Sequence, residues 1–116
     1  MKILDEGHKY LLKLNGQEKE EIELTFYKDS AINGNGYDGT TNQEVLRALI
    51  DRVKFLNKQN PHRFNDEIIY HLRQALALHE MRHIERCVEE NYPIENVKLV
   101  GSNDHFINNK SLWEWD

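Results

Sequence analysis

The chain has 116 residues, and 30% of them are charged; its net charge is −5 and its mean hydropathy is −0.78. These values together predict one soluble domain with a modest core. The acidic balance argues against a general binder of nucleic-acid polymers, which would need a basic face. No apolar run approaches a membrane span, the N-terminus lacks a signal-peptide core, and the single Cys87 excludes an internal disulfide framework and fits a reducing cytoplasm.

Residues 1–36 are predicted to form an antiparallel β-sheet region. "YLLKLNGQ" and "EEIELTFYKD" flank a polar turn, and the second alternates, with Ile22, Leu24 and Phe26 on one face. Such a sheet needs a cover for its apolar face. The glycines of "AINGNGYDGTT" lack the spacing and trailing lysine of a phosphate-binding loop, so this stretch predicts a turn-rich connection.

Residues 41–91 are predicted to form an antiparallel hairpin of two helices. Thr41 and Glu44 form a capping box for the first helix, which Pro61 ends near Asn60. At 3.6 residues per turn, Phe55 points roughly 140° away from the centre of the apolar stripe. An outward aromatic side chain is incidental, an oligomer contact or a platform for base stacking.

The second helix is predicted to begin after an Asn65 N-cap and to run from Asp66 to about Asn91. One apolar stripe fills its first half, and a second stripe opens on nearly the opposite side of its C-terminal half. A helix that is apolar on two faces is covered on two sides, which predicts contact with a partner chain. The second stripe consists of Ala77, Met81, Ile84 and Val88.

"HEMRH" in the second helix spells the H-E-x-x-H pattern of zinc metallopeptidases. On a helix, His79 and His83 share a face and could hold one zinc ion, with Glu80 as general base. The usual extension with Gly and His is absent, because Arg86 and Glu89 occupy those positions. The alternative is that both histidines are hydrogen-bonded members of a helix seam. More distant candidates for a third zinc ligand are Glu95 and Glu114.

Arg82 and Arg86 lie four residues apart near the end of the second helix. They are either solvated arginines balanced by nearby glutamates or part of a nucleotide site. On one hairpin, or across a dimer of hairpins, Phe55 could stack on a base, Asn65 could bind a polar edge, and the guanidinium groups could bind phosphate.

Residues 92–116 are predicted to hold one short strand, in "ENVKLVGSNDHFIN", and a tail. Trp113 and Trp115 in this tail could anchor an interface, although a frayed end is the simpler interpretation. The whole chain is therefore predicted to be a single α+β domain, with an N-terminal antiparallel sheet, a two-helix antiparallel hairpin, and self-association.

The helical region is similar to a known family. "YDGTTNQEVLRALIDRVKFLN" and "HRFNDEIIYHLRQALALHEMRHIERCVEENY" resemble the helical hairpin of phage Thoeris anti-defence proteins, which is related to that of anti-CBASS cyclic-nucleotide sponges. The resemblance covers Tyr37 to about Tyr92. The matched features are the Gly-Thr-Thr-Asn entry to the first helix, Ile50-Asp51-Arg52, Arg63 with Asn65, Leu72 with Ala75-Leu76, and the spacing from Arg82 to Arg86.

The resemblance implies a non-catalytic sponge without a cofactor, acting in the cytoplasm of an infected bacterium. Such proteins bind cyclic ADP-ribose isomers made by TIR-domain defence proteins, chiefly glycocyclic ADP-ribose, and some members also bind cyclic di- or trinucleotides at a separate site. They self-associate as dimers or higher oligomers such as hexamers.

By this similarity, Phe55 would stack on adenine, Asn65 would hydrogen-bond the ligand and Arg82 would hold the diphosphate. Arg86 would contribute there or at a second site, and Lys28 would contact a phosphate from the sheet. After Arg86, "RCVEENY" stands where the family pattern has a glycine-containing turn.

Two alternatives compete with the sponge. The first is a small zinc peptidase that uses His79 and His83 as metal ligands and Glu80 as base. The second is an acidic phage protein that binds a host protein through Phe55, Trp113 and Trp115.

Overall fold

The computed structural model describes residues 1–29 and 35–91, apart from the side chains of residues 17–19. Three strands precede two helices, which confirms the predicted α+β layout. The predicted C-terminal strand and the tryptophan tail lie outside the described residues. The elements are β1 (Lys2–Asp5), β2 (Lys9–Leu14), β3 (Gln17–Thr25), α1 (Asn42–Gln59) and α2 (Arg63–Glu89).

The chain divides into two compact units. The sheet unit comprises Met1–Asn42, and the helical unit comprises Gln43–Asp116, of which the structure describes residues 43–91. In the described residues, no helix is long and apolar enough to cross a lipid bilayer.

The sheet has the antiparallel order β1-β2-β3. The sequence patterns predicted β2 and β3 but missed β1, which pairs Ile3 with Tyr10. Gly16, with a φ of 82°, supplies the left-handed residue of the turn between β2 and β3. On the apolar face, Ile3 is 60% exposed and Ile22 is 55% exposed.

Residues 35–41 run beside the end of β3 rather than forming turns alone. Lys28 pairs with Tyr37, and Phe26 pairs with Thr40, in two isolated bridges. Gly39 lies against the β3 backbone, where an added Cβ would come within 2.5 Å of the Phe26 carbonyl carbon. A side chain at this position would therefore push the segment away from the strand.

The start of α1 agrees with the sequence prediction, whereas the start of α2 is set by a different residue. α1 begins at Asn42, directly after the predicted cap Thr41. α2 begins at Arg63, so the predicted N-cap Asn65 is wrong. Instead, His62 is extended (φ −143°, ψ 137°), and its ring Nδ1 accepts a hydrogen bond from the Phe64 N–H at 3.1 Å. An imidazole nitrogen thus takes the role that Asn, Asp, Ser or Thr usually fills.

The two helices pack through a small apolar core. Ile50 of α1 is fully buried between α2 residues, and partly buried aliphatic side chains surround this centre. Their removal from water is the main favourable term that holds the hairpin together. The core consists of Ile50, Ile69 and Leu76, with Leu46, Val53 and Leu72 against it.

The second apolar stripe of α2 is largely open in the described part of the chain. Met81 is 57% exposed and Val88 is 53% exposed. An apolar surface of this kind is typical of a contact with another chain, so the expected partner for this stripe stays a prediction.

Candidate functional site

Phe55 lies on the outside of the helical unit. Its side chain is 57% exposed, as its position on the helical wheel predicted. One turn further along α1 comes Lys58, which is also exposed. A half-exposed aromatic ring on a regular helix is a rigid platform on which a planar ligand could stack.

Asn65 lies in the first turn of α2 and faces α1. Its Nδ2 donates a hydrogen bond to Asn57 Oδ1 at 3.0 Å, and the same oxygen accepts a hydrogen bond from the His62 N–H at 3.1 Å. The side-chain oxygen of Asn65 accepts no hydrogen bond from any described residue. Asn65 therefore offers a fixed acceptor at the end of the hairpin where Phe55 lies.

Arg82 and Arg86 are both exposed on the C-terminal half of α2. Neither forms an ion pair or a side-chain hydrogen bond with the described residues. An arginine without a carboxylate partner keeps its planar fork of donors available for a phosphate group.

The aromatic and the cationic candidates lie at opposite ends of one hairpin. Asn57 contacts Asn65 near the loop, whereas Arg47 contacts Glu80 far from it. This register places Phe55 level with residues 68–70 of α2. At 1.5 Å per residue, Arg82 then lies about 18 Å further along the axis. The structure thus brings Phe55 and Asn65 to one end of the hairpin, and it does not bring Arg82 or Arg86 to them within the chain.

Glu80, the predicted base of the zinc pattern, forms an ion pair with a buried arginine. Its Oε1 lies 3.7 Å from Arg47 Nη2, and Glu44 lies 3.3 Å from Arg47 Nη1. Arg47 is only 5% exposed, and its Nε has no hydrogen-bond partner among the described residues. Glu80 therefore compensates a buried charge.

The sequence interpretation missed Arg47. The available signal was its position one turn before Ile50 on the core side of α1, where an arginine needs an acidic partner on the facing helix.

The histidines of the same pattern, His79 and His83, are partly buried. His83 Nε2 lies 3.7 Å from Cys87 Sγ, one turn along α2. Among the described residues, no group of three His, Cys, Asp or Glu side chains is arranged to hold a metal ion. The candidate third ligands Glu95 and Glu114 lie outside those residues.

Lys28, the candidate phosphate contact of the sheet unit, already has an acidic partner. Its Nζ lies 3.1 Å from Asp5 Oδ2, and the Tyr37 hydroxyl donates a hydrogen bond to the same oxygen. The hydrogen bonds from Tyr37 and then Lys28 lower the pKa of Asp5. Partial desolvation and the hydrogen bond to Asp5 raise the pKa of Tyr37 to about 12. Any phosphate at Lys28 would compete with Asp5.

We expect the contact between Tyr37 and Asp5 to stabilise the sheet unit up to high pH. Because the folded pKa of Tyr37 is about 12 and the ordinary value is 10.0, this stabilisation is complete below pH 10 and is lost as the pH rises through 12. Urea unfolding should therefore show Tyr37→Phe to be less stable than the wild type near neutrality, with a difference that shrinks above pH 10. A difference that is constant with pH would contradict this assignment, and Tyr27→Phe is the matched control.

Comparisons of the chain with protein-family models, with curated proteins and with solved structures found no significant match.

Proposed function

We propose that this protein is a phage immune-evasion sponge that binds and sequesters, without degrading them, glycocyclic ADP-ribose signals made by TIR-domain defence proteins. The observation that carries the proposal is that Phe55 and Arg82 are exposed and that Arg82 has no polar partner among the described residues. By contrast, Arg47 of the same hairpin is buried and ion-paired with Glu80. The resemblance of the hairpin segments to the Thoeris anti-defence family gives these residues their roles. The site of action would be the cytoplasm of the infected bacterium.

The separation of Phe55 from Arg82 favours a site that two chains share. If two hairpins associate antiparallel around a two-fold axis, the Phe55 end of each meets the Arg82 end of its partner. Two equivalent sites result, because a two-fold contact uses the same surface on both chains. The exposed Met81 and Val88 near Arg82 supply apolar surface for such a contact.

The chemistry of these groups suits binding without turnover. Phe55 would stack on adenine, and Asn65 would hydrogen-bond the ligand. Arg82 would bind the diphosphate through a forked pair of charge-assisted hydrogen bonds, and Arg86 would add a second cation. No nucleophile or cofactor is required, because sequestration by mass action only needs tighter binding than that of the defence effector.

The ion pair between Glu80 and Arg47 argues against the peptidase alternative. A general base must reach a water molecule at the metal, whereas Glu80 is held against Arg47, which is almost fully buried. For the host-protein alternative, Phe55 is exposed, while Trp113 and Trp115 lie outside the described residues. Binding of cyclic di- or trinucleotides is a further proposal that rests on the family resemblance.

The deciding experiment is capture and release. Purified protein is incubated with glycocyclic ADP-ribose and filtered, the retained protein is heat-denatured, and both fractions are analysed by chromatography. We expect depletion of the free ligand and recovery of the same compound after denaturation. Recovery of an altered product would show an enzyme, and failure to deplete the ligand would rule out this sponge function.

A further inference from the structure

A groove between the two helices lies on the flank of the hairpin next to Phe55. It has a volume of about 480 Å³, and buried Ile69 forms its floor. Tyr70, which is 58% exposed, lines its α2 side. The cationic side chains of the groove are Lys54, Lys58 and Arg73.

The charge in this groove is opposite to that of the whole protein. Three cations and one carboxylate, that of Asp66, line the groove, whereas the chain carries a net charge of −5. Lys54 and Arg73 also interact with other groups of the protein, which leaves Lys58 as the cation available to a ligand. Asn57 Nδ2 lies 3.5 Å from Asp66 Oδ1, so this carboxylate has a neutral partner at the loop end. Lys58 forms no ion pair or hydrogen bond with the described residues. A local cationic groove in an acidic protein selects for an anion that approaches closely.

Aromatic rings border the cations on both helices. Lys58 lies one turn after Phe55, and side chains three residues apart are neighbours on a helix surface. Tyr70 lies level with Phe55 in the register of the hairpin and lines the groove from α2. An apolar floor, exposed rings and ammonium or guanidinium groups are the features that bind the ring and the phosphates of a nucleotide together.

We infer that this groove binds the ribose-phosphate part of the nucleotide whose base stacks on Phe55, so Lys58 contacts phosphate directly. This inference rests on the proposed function. In the proposed shared site, the groove adds contacts to the ligand from the chain that supplies Phe55, and Arg82 of the partner chain contacts the ligand from the opposite side. The phosphates then lie between cations of two chains, which keeps a doubly charged ligand from binding one chain alone with full affinity.

The test is calorimetric titration of the full-length protein with glycocyclic ADP-ribose. We expect Lys58→Glu to weaken binding by about tenfold or more, Tyr70→Ala to weaken it by a smaller factor, and Lys58→Arg to retain most of the affinity. Lys13→Glu, the same charge change on an exposed residue of β2, is the matched control and should stay within about twofold of the wild type.

Equal affinities for Lys58→Glu and Lys13→Glu, with intact wild-type binding, would overturn the groove and leave the sponge function standing. If the wild type does not bind glycocyclic ADP-ribose, the sponge function fails, and inorganic pyrophosphate becomes the probe. Pyrophosphate binding that Lys58→Glu abolishes and Lys13→Glu preserves would support an anion groove by itself. If the wild type binds neither glycocyclic ADP-ribose nor pyrophosphate, the proposed anion groove is overturned.

Discussion

Two variants that each lose ligand binding are expected to recover it when they are combined in one dimer. Phe55→Ala should weaken binding by about 10- to 100-fold through loss of base stacking. Arg82→Ala should have a similar or larger effect, because it removes a forked contact to phosphate. If each site takes Phe55 from one chain and Arg82 from the other, a heterodimer of the two variants has one intact site and one site that lacks both groups.

The measurement is ligand binding by isolated heterodimers, obtained by co-expression with two different affinity tags. We expect wild-type affinity at half the wild-type capacity. Tyr27→Ala, which removes an exposed aromatic ring of the sheet unit, is the control for nonspecific effects of losing such a ring.

Two other results would contradict the shared site. Heterodimers as inactive as their parents would place Phe55 and Arg82 at the same site within one chain, against their separation of about 18 Å along the hairpin. Full affinity in both single variants would show that the ligand-binding residues were assigned wrongly.

The sequence predicted the elements whose apolar residues have a clear period. The alternation in β3 and the stripe around Ile50 each indicated the right element, and Pro61 marked the end of α1. β1 was missed because "KILD" has only four residues, three of which are exposed. The start of α2 was misplaced because His62 caps it through a ring nitrogen, a less common capping group than the Asn65 amide.

The candidate site was predictable only in part, because its residues act through long-range contacts. The exposure of Phe55 follows from local helical geometry and is observed. The ion pair between Glu80 and Arg47 does not follow from the H-E-x-x-H pattern, because Arg47 lies on the other helix. A site that joins Phe55 to Arg82 would require a second chain, so it could not be predicted from local sequence and is not visible in one folded chain. For this reason the shared site stays a prediction.

The buried ion pair yields the largest expected change in stability. Arg47→Ala should lower the free energy of unfolding by about 3–5 kcal/mol, because it removes the buried cation that Glu80 and Glu44 contact and opens space beside Ile50. Arg47→Met should cost less, since it fills the same space with apolar atoms. Urea unfolding followed by circular dichroism measures both changes.

Glu80→Gln distinguishes a structural role from a catalytic one. In the ion-pair interpretation, this change weakens the compensation of Arg47, so stability falls while the folded protein still captures ligand. Adding Arg47→Met to Glu80→Gln should recover part of the stability, since it removes the buried cation that Glu80→Gln leaves less well compensated, while the remaining carboxylate of Glu44 is partly exposed to water. A catalytic base would behave differently: Glu80→Gln would abolish peptide hydrolysis and leave the unfolding curve unchanged. Because the two roles predict opposite changes in stability and activity, measuring both on one purified variant decides between them.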